Sequence, residues 1–98
     1  MSVLDQFRLH GRRALITGGS RGLGLEMARA LGEAGAELVI AGSDAGHLEN
    51  ARAELVGQGL TVHVELADLS LPAQAEALCA RVLEKYPAID ILVNNVGG

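Results

Sequence analysis

The residues best suited to chemistry lie in one stretch, Thr17-Gly18-Gly19-Ser20-Arg21-Gly22-Leu23-Gly24. The chemistry that stretch offers is the holding of an anion. Gly18 is free to turn the chain sharply out of a strand, and Gly22 lacks the Cβ that would keep a pyrophosphate away from the backbone. Gly24 lets a following helix sit close on a sheet. The first N–H groups of such a helix have no partner within it, and its dipole favours negative charge. A tight strand-to-helix connection needs glycines too, but Ser20 and Arg21 among them favour phosphate. The Gly-Lys-Ser/Thr of a P-loop nucleotide triphosphatase is absent.

Other chemistry finds little support. His10, His47 and His63 have no second ligand at metal-binding spacing; the first two read as surface residues and His63 as half-exposed. Cys79 falls on an apolar helical stripe and reads as a small buried hydrophobe. As the single cysteine it excludes an internal disulfide and a cysteine-based zinc site. Net charge is −4, no basic cluster exceeds Gly11-Arg12-Arg13, and Phe7 and Tyr86 are the only aromatic side chains; nucleic acid is not an expected partner. The first eight residues hold no unbroken apolar core, and no apolar run approaches membrane-spanning length, so a soluble, cytoplasmic protein is expected.

A phosphate-binding turn has to be held by a strand before it and a helix after it, and the sequence supplies a series of such pairs. After a loose lead-in over residues 1–12, Arg13-Ala14-Leu15-Ile16-Thr17 is a strand apolar on both faces. Gly22 to about Ala34 reads as a helix, with Leu23, Met27, Ala30 and Ala34 on its inner stripe, widened by Leu31, and Gly35 as a left-handed cap. Glu37 to Ala41 is a second buried strand. Asp44 caps a helix running to about Val56, with Leu48, Ala51 and Leu55 inward.

In Thr61 to Leu66 apolar and polar residues alternate: Val62, Val64 and Leu66 point one way, and Thr61, His63 and Glu65 the other. That pattern suits a sheet-edge strand with one wet face. Ser70 is placed to cap a third helix with Pro72 in its first turn, and Ala75, Leu78, Cys79, Val82 and Leu83 form its inner stripe. Ile89 to Val93 is a fourth strand running into Asn94-Asn95-Val96-Gly97. The order βαβαβαβ with right-handed crossovers predicts an α/β fold, a Rossmann-type parallel sheet of order 3-2-1-4. Strands one and four then meet at the switch point, where ligands bind beyond the C-terminal strand ends.

These residues resemble the short-chain dehydrogenases/reductases, NAD(P)-dependent oxidoreductases on a Rossmann fold. Thr17 to Gly24 matches their Thr-Gly-x-x-x-Gly-x-Gly motif, Asp68-Leu69 their acidic pair after the third strand, and Asn94-Asn95-Val96-Gly97 their Asn-Asn-Ala-Gly. The similarity spans the chain but only the N-terminal part of the family's fold. Within the family it looks most like 3-oxoacyl-carrier-protein reductases and gluconate 5-dehydrogenases. By this resemblance Gly18, Ser20, Arg21, Gly22, Leu23 and Gly24 bind the cofactor phosphates. Asp68 accepts from the adenine amino group, with helix capping as its alternative role, and the Leu69 backbone supports the ring. Asn95, Val96 and Gly97 pass near the nicotinamide ribose, and Asn94 ties neighbouring strands.

The choice of cofactor depends on the residues just after the second strand, where NAD enzymes place an acid for the ribose diol and NADP enzymes a base for the 2′-phosphate. Here that segment is Ala41-Gly42-Ser43-Asp44. Gly42 stands in the place of the acid, and Ser43 where many NADP-type members have Arg. Arg21 and Ser43 favour NADP, with NAD the alternative; for Ser43 and Asp44, helix capping competes with cofactor selection.

The family's chemistry needs a Ser, and a Tyr with a Lys four residues on. Tyr86 is followed by Pro87-Ala88-Ile89-Asp90 and has no such Lys, so no catalytic residue is assigned in this chain. The fourth strand lacks the charge, proline or alternation that protect an edge. A fifth strand is therefore expected beside it. Residues 1–98 are expected to form a cofactor-binding half-domain, cut before the catalytic region, without activity alone and prone to self-associate through the fourth strand. A full-length form is expected to act on a small carbonyl or alcohol and to be a homo-oligomer. The alternative is a non-catalytic dinucleotide-binding module or a gene remnant.

Overall fold

The computed structural model describes residues 9–95. Strands and helices alternate as β1 (Arg13–Thr17), α1 (Gly22–Glu33), β2 (Glu37–Gly42), α2 (Ala45–Gly57), β3 (Val62–Leu66), α3 (Pro72–Lys85) and β4 (Ile91–Asn94). The strands pair in parallel in the order β3-β2-β1-β4. This is the doubly wound, Rossmann-type arrangement, with β1 and β4 adjacent where the winding reverses. Thr17 stands level with Ala41 on one side and Asn94 on the other, so three strands end together.

The uninterrupted apolar runs of β1 and β2 follow from their central position, because helices cover both faces of the sheet. On one face Ala14, Ile16, Leu38 and Ile40 pack with Ala28 of α1 and with Leu48, Ala51 and Leu55 of α2. On the other, Leu15, Val39 and Ala41 pack with Leu78 and Val82 of α3. Asp44 caps α2 as expected, its Oδ1 accepting from the His47 N–H at 2.8 Å. Gly35 turns the chain out of α1 at φ +109. Leu9 of the lead-in joins the first face and donates its N–H to Ala34 O at 2.7 Å.

Several expected faces are corrected. The buried residues of α1 are Gly24, Ala28 and Gly32, not the Leu23–Met27–Ala30 stripe; Leu23 is 68% exposed. The helix lies close to the sheet, with small residues at its most buried positions and Leu25 and Leu31 packed partly buried beside them. In α3 only Leu78 and Val82 are buried, whereas Cys79 is exposed and Leu83 is 69% exposed. These two line an apolar hollow with Leu15, Ile89 and Leu92 beside β4. Ser70 does not cap α3: Leu71 holds the cap position without a side-chain bond, and the Ser70 hydroxyl donates to Asp68 Oδ1 at 2.6 Å.

The alternation in β3 also misleads. Glu65 is only 5% exposed, and Leu66 faces outward. The supposed wet face is roofed by cations from α3: Arg81 Nε and Lys85 Nζ reach the Glu65 carboxylate at 2.8 and 2.9 Å. Burial pushes that carboxyl up, but the two hydrogen bonds outweigh it and hold the group below its ordinary range. Nearer the strand starts, Glu37 receives Arg13 Nε at 2.6 Å and pairs with His63 Nε2 at 2.7 Å. The Arg13 guanidinium lies 5.2 Å from the centre of the Tyr86 ring. β4 begins at Ile91 rather than Ile89; just before it, Asp90 is tied to the start of β1, with Arg13 N donating to its Oδ2 at 2.9 Å.

Candidate functional site

The sharp turn after β1 is set by Gly18 at φ +67, and Gly24 two residues into α1 packs directly on it. A Cβ at Gly24 would stand 2.1 Å from the Gly18 carbonyl oxygen and 2.8 Å from Asn95 Nδ2. Gly24 therefore builds the turn and is not one of the residues that line the cleft beside it. Gly22 combines a positive φ of +56 with open space where a Cβ would project, so the main chain there is bare to an incoming ligand. The extended Arg21 precedes α1 and contributes no side-chain cap, and no acid occupies the first turn. An anion meets no competing carboxylate on that helix end.

A second tie closes the other side. Thr17 Oγ1 lies 3.0 Å from Asn94 Oδ1, to which it donates, and accepts from the Asn95 N–H at 3.1 Å. The ends of β1 and β4 are thus pinned together by side chains at the switch point, and Asn94 has its expected strand-tying role. Asn95 is thereby placed at the mouth of the glycine turn.

Between these ends opens a cleft of about 700 Å³, within the roughly 300–1,000 Å³ common for small-molecule sites. Gly18, Ser20, Arg21, Gly22 and Leu23 line it from the first turn. Ser43 joins them from the loop after β2, Asp68 and Leu69 from the loop after β3, and Asn95 from the end of β4. Of the residues singled out in the sequence, all of these converge on one space. Val96 and Gly97 lie outside the described residues. Asp68 is ordered by its neighbours: its Oδ1 accepts from Ser70, and its N–H donates to Gln74 Oε1 at 2.7 Å. The Ser70 hydroxyl and N–H hold its carboxyl below the ordinary value, so it enters the cleft as an anion.

The sequence reading did not assign Gly42, Asp44, His47, Ala67 or Ser70 to the lining, yet all five contribute. For His47 a signal was available: it stands three residues after the Asp44 cap, in the first turn of α2, close in sequence to Ser43. The hydrogen bond from the His47 N–H, above all, holds the Asp44 carboxyl low, with a smaller contribution from the charge of Arg21 across the cleft. Tyr86 is remote, packed against Arg13 and His63 near the opposite strand ends.

A family model described as short chain dehydrogenase matches residues 12–98. The chain belongs to that oxidoreductase family. It is 38% identical over 97 residues to gluconate 5-dehydrogenase of Gluconobacter oxydans, covering 99% of this chain and 38% of the relative. Among solved structures, the Pseudomonas aeruginosa RhlG/NADP active-site complex superposes with a TM-score of 0.89 at 40% identity, over 96% of this chain and 38% of that one. A 3-oxoacyl-(acyl-carrier-protein) reductase from Agrobacterium tumefaciens with NADP bound gives 0.88 at 34% identity, over 100% and 38%. The chain thus spans little more than a third of the length of these relatives. Among the described residues, no helix is long and apolar enough to cross a membrane.

Proposed function

We propose that residues 1–98 form the cofactor-binding half-domain of an NADP-dependent oxidoreductase that interconverts a carbonyl and an alcohol. The observation that carries this reading is the convergence of the uncapped start of α1 and the bare Gly22 backbone on a cleft that the loops after β2, β3 and β4 also line. The donors suit a dinucleotide. Main-chain N–H groups at the start of α1, with Ser20 and Arg21, bind the pyrophosphate. Leu69 and the anionic Asp68 take the adenine, and Asn95, Val96 and Gly97 take the nicotinamide ribose. When bound, the cofactor would supply a hydride in its reduced form and accept one in its oxidised form.

NADP is favoured over NAD because Gly42 offers no carboxylate for the ribose diol, and Asp44 is engaged at the start of α2. Two relatives of known structure hold NADP. The test is titration with NADPH and NADH, followed by the fluorescence of the reduced nicotinamide. Saturable binding with NADPH the tighter ligand is expected; saturation by neither refutes the site.

A second reading, a binding module without its own chemistry, is favoured by one observation. Tyr86, the only tyrosine, is packed under Arg13 away from the cleft, so these residues bind and orient a cofactor but offer no tyrosine as general acid. NADPH-dependent reduction of a carbonyl substrate by the chain alone refutes that reading.

A further inference from the structure

We infer that Gln74, in the first turn of α3, is a positioning residue: by accepting the Asp68 N–H it holds the Asp68 carboxylate where adenine is told from other purines. The inference rests on the reading of the cleft in which Asp68 takes the adenine, and it names the residue that sets that contact. Gln74 does not line the cleft and acts only through Asp68.

The path of the chain shows what the amide does there. Ala67 follows the end of β3 and still donates its N–H to Gly42 O at 2.9 Å. At the next residue the N–H of Asp68 is taken by Gln74 Oε1 at 2.7 Å. A Gln at the third position of a helix ordinarily reaches back to the N–H of the cap residue. Here the cap residue is Leu71, whose N–H is already given to Asp68 O at 3.1 Å. Gln74 reaches three residues further back, so its side chain ties the cleft-lining loop to α3.

The same turn places the carboxylate. Both hydrogen bonds it accepts among the described residues, from the Ser70 N–H at 3.1 Å and the Ser70 hydroxyl at 2.6 Å, fall on Oδ1. Oδ2 is left to accept from a ligand. Asp68 and Ser70 stand two residues apart and move as one body, which Gln74 anchors to α3. Adenine presents an amino donor at the ring position where hypoxanthine presents a carbonyl oxygen. A carboxylate fixed in place accepts from the first and repels the second. Such a bond is directional, so the distinction fades when the turn is free to shift.

The experiment is fluorescence titration of the whole chain with NADPH and with its deaminated analogue, in which hypoxanthine replaces adenine. The two ligands carry the same phosphates and nicotinamide, so the ratio of their affinities reports the base contact. It is repeated for Gln74→Leu, which keeps the bulk and removes the acceptor, and for Gln74→Glu, which keeps an acceptor oxygen. Gln74 is exposed, so neither change disturbs the core. The native chain is expected to prefer adenine by about tenfold or more. In Q74L that preference falls by about tenfold, toward parity, and in Q74E it is retained. A Q74L ratio equal to the native one, even with both ligands held more weakly, overturns the role of Gln74 and leaves the cleft assignment standing. Loss of the preference in Q74E as well overturns the argument from the acceptor. Equal binding of the two ligands by the native chain overturns the base contact, and this inference with it, but not the dinucleotide site. Binding of neither ligand overturns the site itself.

Discussion

Two glycines on the buried face of α1 test the close packing that shapes the cleft, because the same substitution meets opposite fates at each. Alanine gains up to about 1 kcal/mol over glycine in a helix interior. At Gly24 the new Cβ stands 2.1 Å from the Gly18 carbonyl oxygen, a backbone atom fixed by the turn. To reach an ordinary contact of 3.4 Å the turn must retreat by roughly 1.3 Å. Overpacking of this kind costs about 1–3 kcal/mol, so with the helix gain subtracted Gly24→Ala is expected to lose up to about 2 kcal/mol net.

At Gly32 the nearest atoms are Leu60 Cδ1 and Leu38 Cδ1, at 2.8 and 3.0 Å, the far ends of side chains that can rotate away. Gly32→Ala is expected to stay within about 0.5 kcal/mol of the native chain, gain and crowding offsetting each other. Thermal unfolding reads the difference as a midpoint lower by about 4–8 °C for each kcal/mol lost. NADPH titration should show weaker binding by about tenfold or more for G24A alone, since only that change moves the phosphate turn. Equal stability and equal affinity of the two variants would refute the packing argument.

Further predictions concern charge and the open edge. Removal of the guanidinium in Arg21→Ala should weaken NADPH binding by about tenfold and flatten its salt dependence, read from titrations at two ionic strengths. Glu65→Gln should cost about 1–3 kcal/mol in urea unfolding at neutral pH, by breaking its bonds to Arg81 and Lys85. Because the folded-state Glu65 carboxyl is held low, its contribution is complete above the unfolded carboxylate value of about 4.3 and is lost as pH falls through the folded value. The gap between native and E65Q should therefore close on acidification; a gap independent of pH would refute the pairing. Leu92 is 65% exposed on the edge strand β4, so Leu92→Lys should lower the apparent mass in sedimentation velocity if copies pair there. An identical sedimentation profile would count against pairing.

What the sequence revealed and concealed has a physical pattern. The central strands were legible because burial on both faces leaves an unbroken apolar run, and the glycine turn because its spacing has few other uses. The inner face of α1 was hidden because hydropathy gives glycine no weight, although a close approach selects it. Cys79 and Leu83 share a helical stripe with Leu78 and Val82, but β4 stops the sheet before it passes beneath them. Glu65 read as exposed because its partners are 16 and 20 residues away, beyond any local period. In the cleft, the glycine turn, Ser43, Asp68, Leu69 and Asn95 were found from motifs. His47 was missed, although it stands three residues after the Asp44 cap in the first turn of α2.

The two ends of the sheet carry different burdens. The Glu37–Arg13–His63 cluster, with Tyr86 against it, sits toward the N-terminal strand ends, while the cleft lies beyond the C-terminal ones. Substitutions in the loops after β2 and β3 can therefore change which ligand is selected without touching the contacts that anchor the strands. Selection can drift over generations at one pole of the molecule while the other keeps the framework constant, and a designer can vary the cleft by the same separation.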